Sequence, residues 1–239
     1  RGTPLKIGGA IVAAAMMWFG WPLIRSQTDM LAMTTSVGAE DQLLHDPVAG
    51  PTFTLLKEKF PEDFARIRDA VSGSAGSLDR KAIAQVLQRE IATTLKRNRH
   101  FVAQAPHDTL AGFRAANLAI LERLQMTAPQ LCAQMASTGT TGGAPLTLET
   151  NRLEVALLDA HLVMIAAGRD RPQKRTAEIT PEDARQAIDA MRAAGASRES
   201  IEIAVGTRTP AQASERMQCD AGIDTLRALD AVREDVSDR

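Results

Sequence analysis

Tyrosine is missing from the chain altogether, and aromatic residues make up only 3% of it, two tryptophans and six phenylalanines. Trp18 and Trp21 both fall in the opening stretch, so everything beyond it must build its core from Ala, Leu, Ile, Val and Met, with phenylalanine the sole aromatic anchor. A composition rich in Ala and poor in β-branched residues suits helices packed closely on one another, because strands favour Val, Ile, Thr and aromatics. No stretch alternates with period two for long enough to require a strand, and the fold class expected is all-α. Charge of one sign is lacking too. A net charge of −1, with 24% of residues charged, provides no field to steer the molecule toward polyanions or polycations.

The motifs of common chemistry are also missing. No nucleophile elbow, phosphate-binding glycine loop or H-E-x-x-H zinc site is present, and "SGSAGS" at 72–77 lacks the first glycine of an elbow. His45, His100, His107 and His161 are the only histidines, and no two share a helix at spacing i, i+3 or i+4, which excludes the simplest way of aiming two imidazoles at one metal. Cys132 and Cys219 are the only cysteines, far too widely separated for a C-x-x-C redox or zinc pair. No catalytic residue, cofactor or metal is expected from local pattern.

One long apolar run is present. The 18 residues from Ile7 to Ile24 carry no charge, enough at about 1.5 Å per residue to cross most of a roughly 30 Å hydrocarbon core. A secretory signal has a shorter apolar region closed by a small-x-small site. Here the run ends in Trp-Pro-Leu-Ile-Arg, and a cut within Ala13 to Ala15 would leave Phe and Trp behind it. Trp18 and Trp21 read as an interface belt, with Lys6 and Arg25 as charges beyond the two ends. Arg1 and Lys6 precede the run, whereas Arg25 alone follows it before Lys57, so the bias places the N-terminus inside. The layout expected is a single transmembrane anchor over 1–25 in the cytoplasmic membrane, a linker over 26–50 with room for one short helix, and a multi-helix globular domain over 51–236 on the periplasmic or other extracytoplasmic side.

Within that domain the helical period recurs. Phe53, Leu56, Phe60, Phe64 and Ile67 recur at three to four, as two short helices or one bent at Pro61. Leu78 to Gln104 reads as one long helix, and Pro106 ends it. A helix through Leu110 to Leu124 follows, with Asp108 expected as its N-cap, then a short one near Cys132. The "STGTTGGAP" loop at 137–145 offers hydroxyls and backbone N–H groups to a ligand, although such loops are more often only flexible. Leu148 to Ala167 resumes the period with Gly168 placed as its cap, Thr180-Pro181-Glu182-Asp183 opens another helix that Gly195 stops, and Thr209 with Gln212 is the expected start of the last.

Each cysteine lies on an apolar helical face, Cys132 with Leu131 and Met135, Cys219 with Ile223 and Leu226. In an oxidising space a bridge between them is expected, nominally ~4 kcal/mol by chain entropy, tying two halves of the body together. Two separate buried thiols are the alternative.

Two basic clusters remain: Lys96, Arg97 and Arg99 with His100, and Arg169, Arg171, Lys174 and Arg175. Both stand near helix C-termini, where solvated cations meet the negative dipole end, and the sharper reading is docking to an acidic protein or to anionic headgroups. Nucleic acid is not expected, since interleaved aromatics are missing apart from Phe101.

The function expected is therefore a single-pass, membrane-anchored helical protein that acts by protein–protein contacts as an accessory or assembly subunit of a membrane or envelope complex. Its partners would be the bilayer, through residues 7–24, and other envelope proteins. An anchored envelope hydrolase using His161 or His107 as base, and a secreted binding domain with a cleaved signal, are the alternatives. The sequence resembles no family specifically.

Overall fold

The computed structural model of the chain describes residues 38–74, 80–142, 144, 146–174, 180–209 and 212–232. The helices are α1 (Ala39–Leu44), α2 (Gly50–Lys59), α3 (Pro61–Ser74), α4 (Arg80–Asn98), a 3-10 segment (Arg99–Gln104), α5 (His107–Thr127), α6 (Pro129–Thr138), α7 (Leu148–Asp170), α8 (Pro181–Ala193), α9 (Arg198–Ala204) and α10 (Glu215–Ala231). Among the described residues there is no strand, so the fold is all-helical. None of these helices is long and apolar enough to cross a membrane. Residues 7–24, and with them Lys6, Trp18, Trp21 and Arg25, lie outside the described residues, as does Arg175.

The chain divides into two compact units, one holding residues 38–109 and 142–173, the other 110–141 and 174 onward. In the first, α1 sits on α2 and α3, α3 on α4, α2 on α7, and the 3-10 segment on α7. Its core is built from Phe53 and Leu56 of α2, Phe60, Phe64 and Ile67 around α3, and Ile83, Leu87, Ile91 and Leu95 of α4. The break between α2 and α3 comes from Pro61, which cannot donate a backbone bond and so begins a new helix, while Phe60 before it is held at φ −135°, ψ 58°. This settles the bend as two helices. The stripe expected to run unbroken to Gln104 ends as α-helix at Asn98 and tightens into the 3-10 segment, which buries Val102.

Gly168 is not a cap. Helix α7 runs on past it to Asp170, and a Cβ at position 168 would lie 2.0 Å from the Phe101 carbonyl oxygen, so glycine is what lets the 3-10 segment touch the helix. The Gln173 N–H then donates to the Gln104 carbonyl at 2.8 Å, closing that end of the unit.

In the second unit, α10 packs on α6, α8 and α9. Polar ties join it to α5: Gln125 donates to Asp220 at 2.6 Å, Arg227 to Glu122 at 2.7 Å and Arg114 to Asp230 at 3.2 Å, and their order makes the two helices antiparallel. Met191, Ala204 and Ala228 form a small core between α8, α9 and α10. Helix α8 opens at the Thr180-Pro181 start, where Thr180 and Asp183 form a reciprocal capping box, and Gly195 follows its end at φ +84°. Two starts differ from expectation. Asp108 lies inside the first turn of α5, because the Pro106 carbonyl already accepts the Thr109 N–H at 3.2 Å and the helix begins at His107. Helix α10 begins at Glu215, where Ser214 caps it by accepting from the Met217 N–H, whereas the Gln212 side-chain oxygen Oε1 accepts from the Thr209 N–H and hydroxyl.

Candidate functional site

The chemistry that can be located falls in three places: a disulfide, a polar corner, and a buried histidine. Cys132 of α6 and Cys219 of α10 are joined in a disulfide, with a Cα–Cα distance of 5.2 Å and 87 positions between them in sequence. Small residues on the same faces permit it. One turn along from each cysteine stand Ala136 and Gly222, and a Cβ on Gly222 would come within 2.7 Å of the Ala136 Cβ, so the helices approach as closely as backbone allows. Both cysteines are essentially solvent-free, at 0% and 1% exposure. The expectation that the bridge ties two halves of the body is corrected, since both sulfurs belong to the same unit.

The polar corner lies where α2 gives way to α3. Asp63, in the first turn of α3 and 7% exposed, accepts through one oxygen from Arg66, from the Thr94 hydroxyl at 3.1 Å and from Arg97 at 2.9 Å. Thr94 and Arg97 are on α4, so this carboxylate pins two helices together. Arg169, from the end of α7, donates to the Lys59 carbonyl at 2.8 Å and to Asp170, and its guanidinium lies 5.2 Å from the centre of the Phe60 ring. The Arg169 hydrogen bond holds the exposed Asp170 carboxyl below its usual range.

Among the expected partner contacts, Arg97 and Arg169 also pair within the fold, and Arg171 pairs with Asp108 at 3.6 Å. Lys96, Arg99 and Lys174 are exposed, with no ion-pair partner among the described residues. The corner gathers Arg97 and Arg169 from two distant clusters, a convergence that the sequence hid. Its only local trace was the acid in the first turn after Pro61, which reads equally well as a complement to the helix dipole.

His161 is buried in α7, and desolvation alone pushes its pKa down to about 4, so it is neutral at ordinary pH. Asp159, close in sequence, faces elsewhere: it accepts from the Thr52 hydroxyl of α2 at 2.6 Å, and burial raises its pKa against the lowering effect of that bond. His45 is exposed and bonds the Asp41 carbonyl at 2.9 Å, and His100 stacks on Phe101 with 3.9 Å between ring centres. No cluster of three or more metal-ligating side chains occurs among the described residues. In the hydroxyl-rich loop, Ser137 and Thr138 turn back to the carbonyls of Ala133 and Gln134 at 2.8 and 2.7 Å, and Gly139 at φ 73° ends α6.

No known protein family, curated protein or solved structure matches the chain.

Proposed function

We propose that the chain is a membrane-anchored helical protein, held by residues 7–24 with its helical body on the extracytoplasmic side, where it acts by contact with other envelope proteins as an accessory or assembly subunit. The disulfide carries this reading. A bridge between the only two cysteines is stable where the surroundings are oxidising and rare where glutathione and thioredoxin keep thiols reduced, so it favours the same side of the membrane as the charge bias around the apolar run. The buried polar groups support contact over catalysis. Asp63 spends its capacity in joining helices, and a histidine with a pKa near 4, enclosed in α7, is a weak general base at neutral pH.

Two measurements test the reading separately. Carbonate washing of membranes from cells that make the protein should leave it in the pellet with an intact mass that includes Trp18 and Trp21, whereas loss of those residues would select the secreted alternative. Mild detergent extraction should then recover it with stoichiometric companions. A lone monomer under those conditions counts against the accessory role.

A further inference from the structure

Two features of the cysteine pair lead beyond its place as a brace. Its sulfurs are out of reach: both cysteines are enclosed, and the Ala136–Gly222 approach beside them leaves no room for a second protein's active site. The chain between them also leaves their own unit and returns, because residues 142–173 belong to the other one, so the bridge closes a long loop. Their unit also buries Ile120, Leu121, Leu124, Met135 and Ile223.

We propose that Cys132 and Cys219 form a one-way latch and are the substrate of a disulfide-exchanging oxidant that acts only on an open form of this unit. In the reduced chain two thiols must keep van der Waals distance where the bridge needs a bond length, and α6 and α10 separate enough to expose both. One cysteine thiolate attacks the oxidant's disulfide and expels one of its sulfurs as a thiol, giving a mixed disulfide. The second cysteine thiolate attacks the protein sulfur of that intermediate and releases the oxidant as a dithiol. Two electrons pass to the oxidant, and the two protons of the cysteine thiols are taken up with them. Closure of α6 on α10 then removes both sulfurs from solvent, so neither that dithiol nor a small thiol can run the exchange backward without the unit opening again. The inference rests on the extracytoplasmic reading only in requiring such an oxidant. The latch itself is a property of this unit.

The test follows the full-length chain in detergent by thiol counting and hydrogen exchange. Dithiothreitol should reduce the native bridge on the order of a hundredfold more slowly than the same chain in strong urea, at a rate that stops rising with dithiothreitol because opening limits it. Once reduced, peptides from α6 and α10 should lose amide protection while those from α3 and α4 keep it. The Cys132→Ser, Cys219→Ser double variant, which cannot relatch, should show the same open pattern without reductant. Native reduction as fast as in urea overturns the latch, and so does full protection of α6 and α10 in both the reduced chain and the double variant. Neither result bears on the location of the body. Recovery of the protein from cells with both thiols free would instead remove the oxidising compartment on which the proposed function depends.

Discussion

The two units bury themselves by different means. The unit containing α1 to α4 and α7 uses size: three phenylalanines, Phe53, Phe60 and Phe64, interlock with leucines and isoleucines, each 3% exposed or less. The unit containing α5, α6 and α8 to α10 has no phenylalanine among its buried residues and combines aliphatic side chains such as Ile120, Leu121, Leu124 and Ile223 with closeness, Ala136 and Gly222 letting α6 approach α10 beside a covalent bond. Large side chains give more transfer free energy per residue, roughly 25 cal/mol for each Å² of apolar surface removed from water, whereas a bridge contributes through the loop it closes in the unfolded chain and adds to whatever packing supplies.

That contrast can be broken directly. Replacing both cysteines by alanine should cost about 4 kcal/mol, near the chain-entropy figure for a loop of this length, with the loss confined to the disulfide unit. Leu87→Ala should cost about 3 kcal/mol through the transfer and cavity terms, with the loss confined to the other unit. Chemical denaturation followed by hydrogen exchange separates the two outcomes, and the triple variant should show the sum of both changes if the units do not share the affected packing. A single transition in which every helix loses protection at once, for either variant, would erase the distinction between the units.

The unit containing α7 carries an acid response through His161. His161 titrates near its ordinary pKa of 6.5 when unfolded and about 4 when folded, so between those values the unfolded chain binds the extra proton. Stability is therefore fully present above about pH 6.5 and falls as pH drops toward 4, by up to about 3 kcal/mol for a shift of this size. Thermal melts of the wild type and of His161→Gln across that window provide the check, and the variant's curve should be flatter. A wild-type midpoint that rises on acidification would show that the imidazole gains rather than loses from the fold.

Smaller again is Gly168→Ala. The added methyl meets a backbone oxygen, not a flexible side chain, so the 3-10 segment must move, at about 2 kcal/mol on the scale of overpacked sites. The amides of Val102 and Ala105 should exchange faster, while α6 and α10 of the other unit stay unchanged. Had Gly168 been the cap that its position suggests, alanine would instead disturb only the last turn of α7.

These cases show which parts were legible. Periodicity located the helices because apolar spacing is a property of the chain itself, and the cysteines' apolar faces pointed to their bridge. Gly168 was misread because a glycine near a helix end has two physical uses, positive φ and close approach, and only a partner from residues 99–104 distinguishes them. The start of α10 was misplaced for a related reason: Thr209 with Gln212 and Ser214 with the Met217 N–H are both competent to begin a helix, and the choice is made by where the preceding chain leaves its turn. The Asp63 corner was hidden because Thr94 and Arg97 come from α4, 31 and 34 positions away, and pairing across helices has no local signature.

The smallest expected effect separates the units most finely. Thr180 caps α8 in the disulfide unit, and Thr147 caps α7 in the other, each accepting an N–H three residues on. Alanine at either should cost about 1 kcal/mol in lost capping. The consequence should nevertheless differ, because α8 buries only Asp183 and Met191, whereas α7 has buried residues in every turn from Thr150 to Gly168. In α8 the lost cap should appear as fraying, with the amides around Asp183 to Arg185 exchanging faster at constant midpoint. In α7 the first turn cannot open without disturbing Asn151 and Val155, so Thr147→Ala should lower the melting midpoint and leave local exchange within the helix nearly unchanged. Identical exchange patterns in the two variants would mean that the small-residue unit holds its helices as firmly as the phenylalanine-rich one, and that the staple is not what distinguishes them.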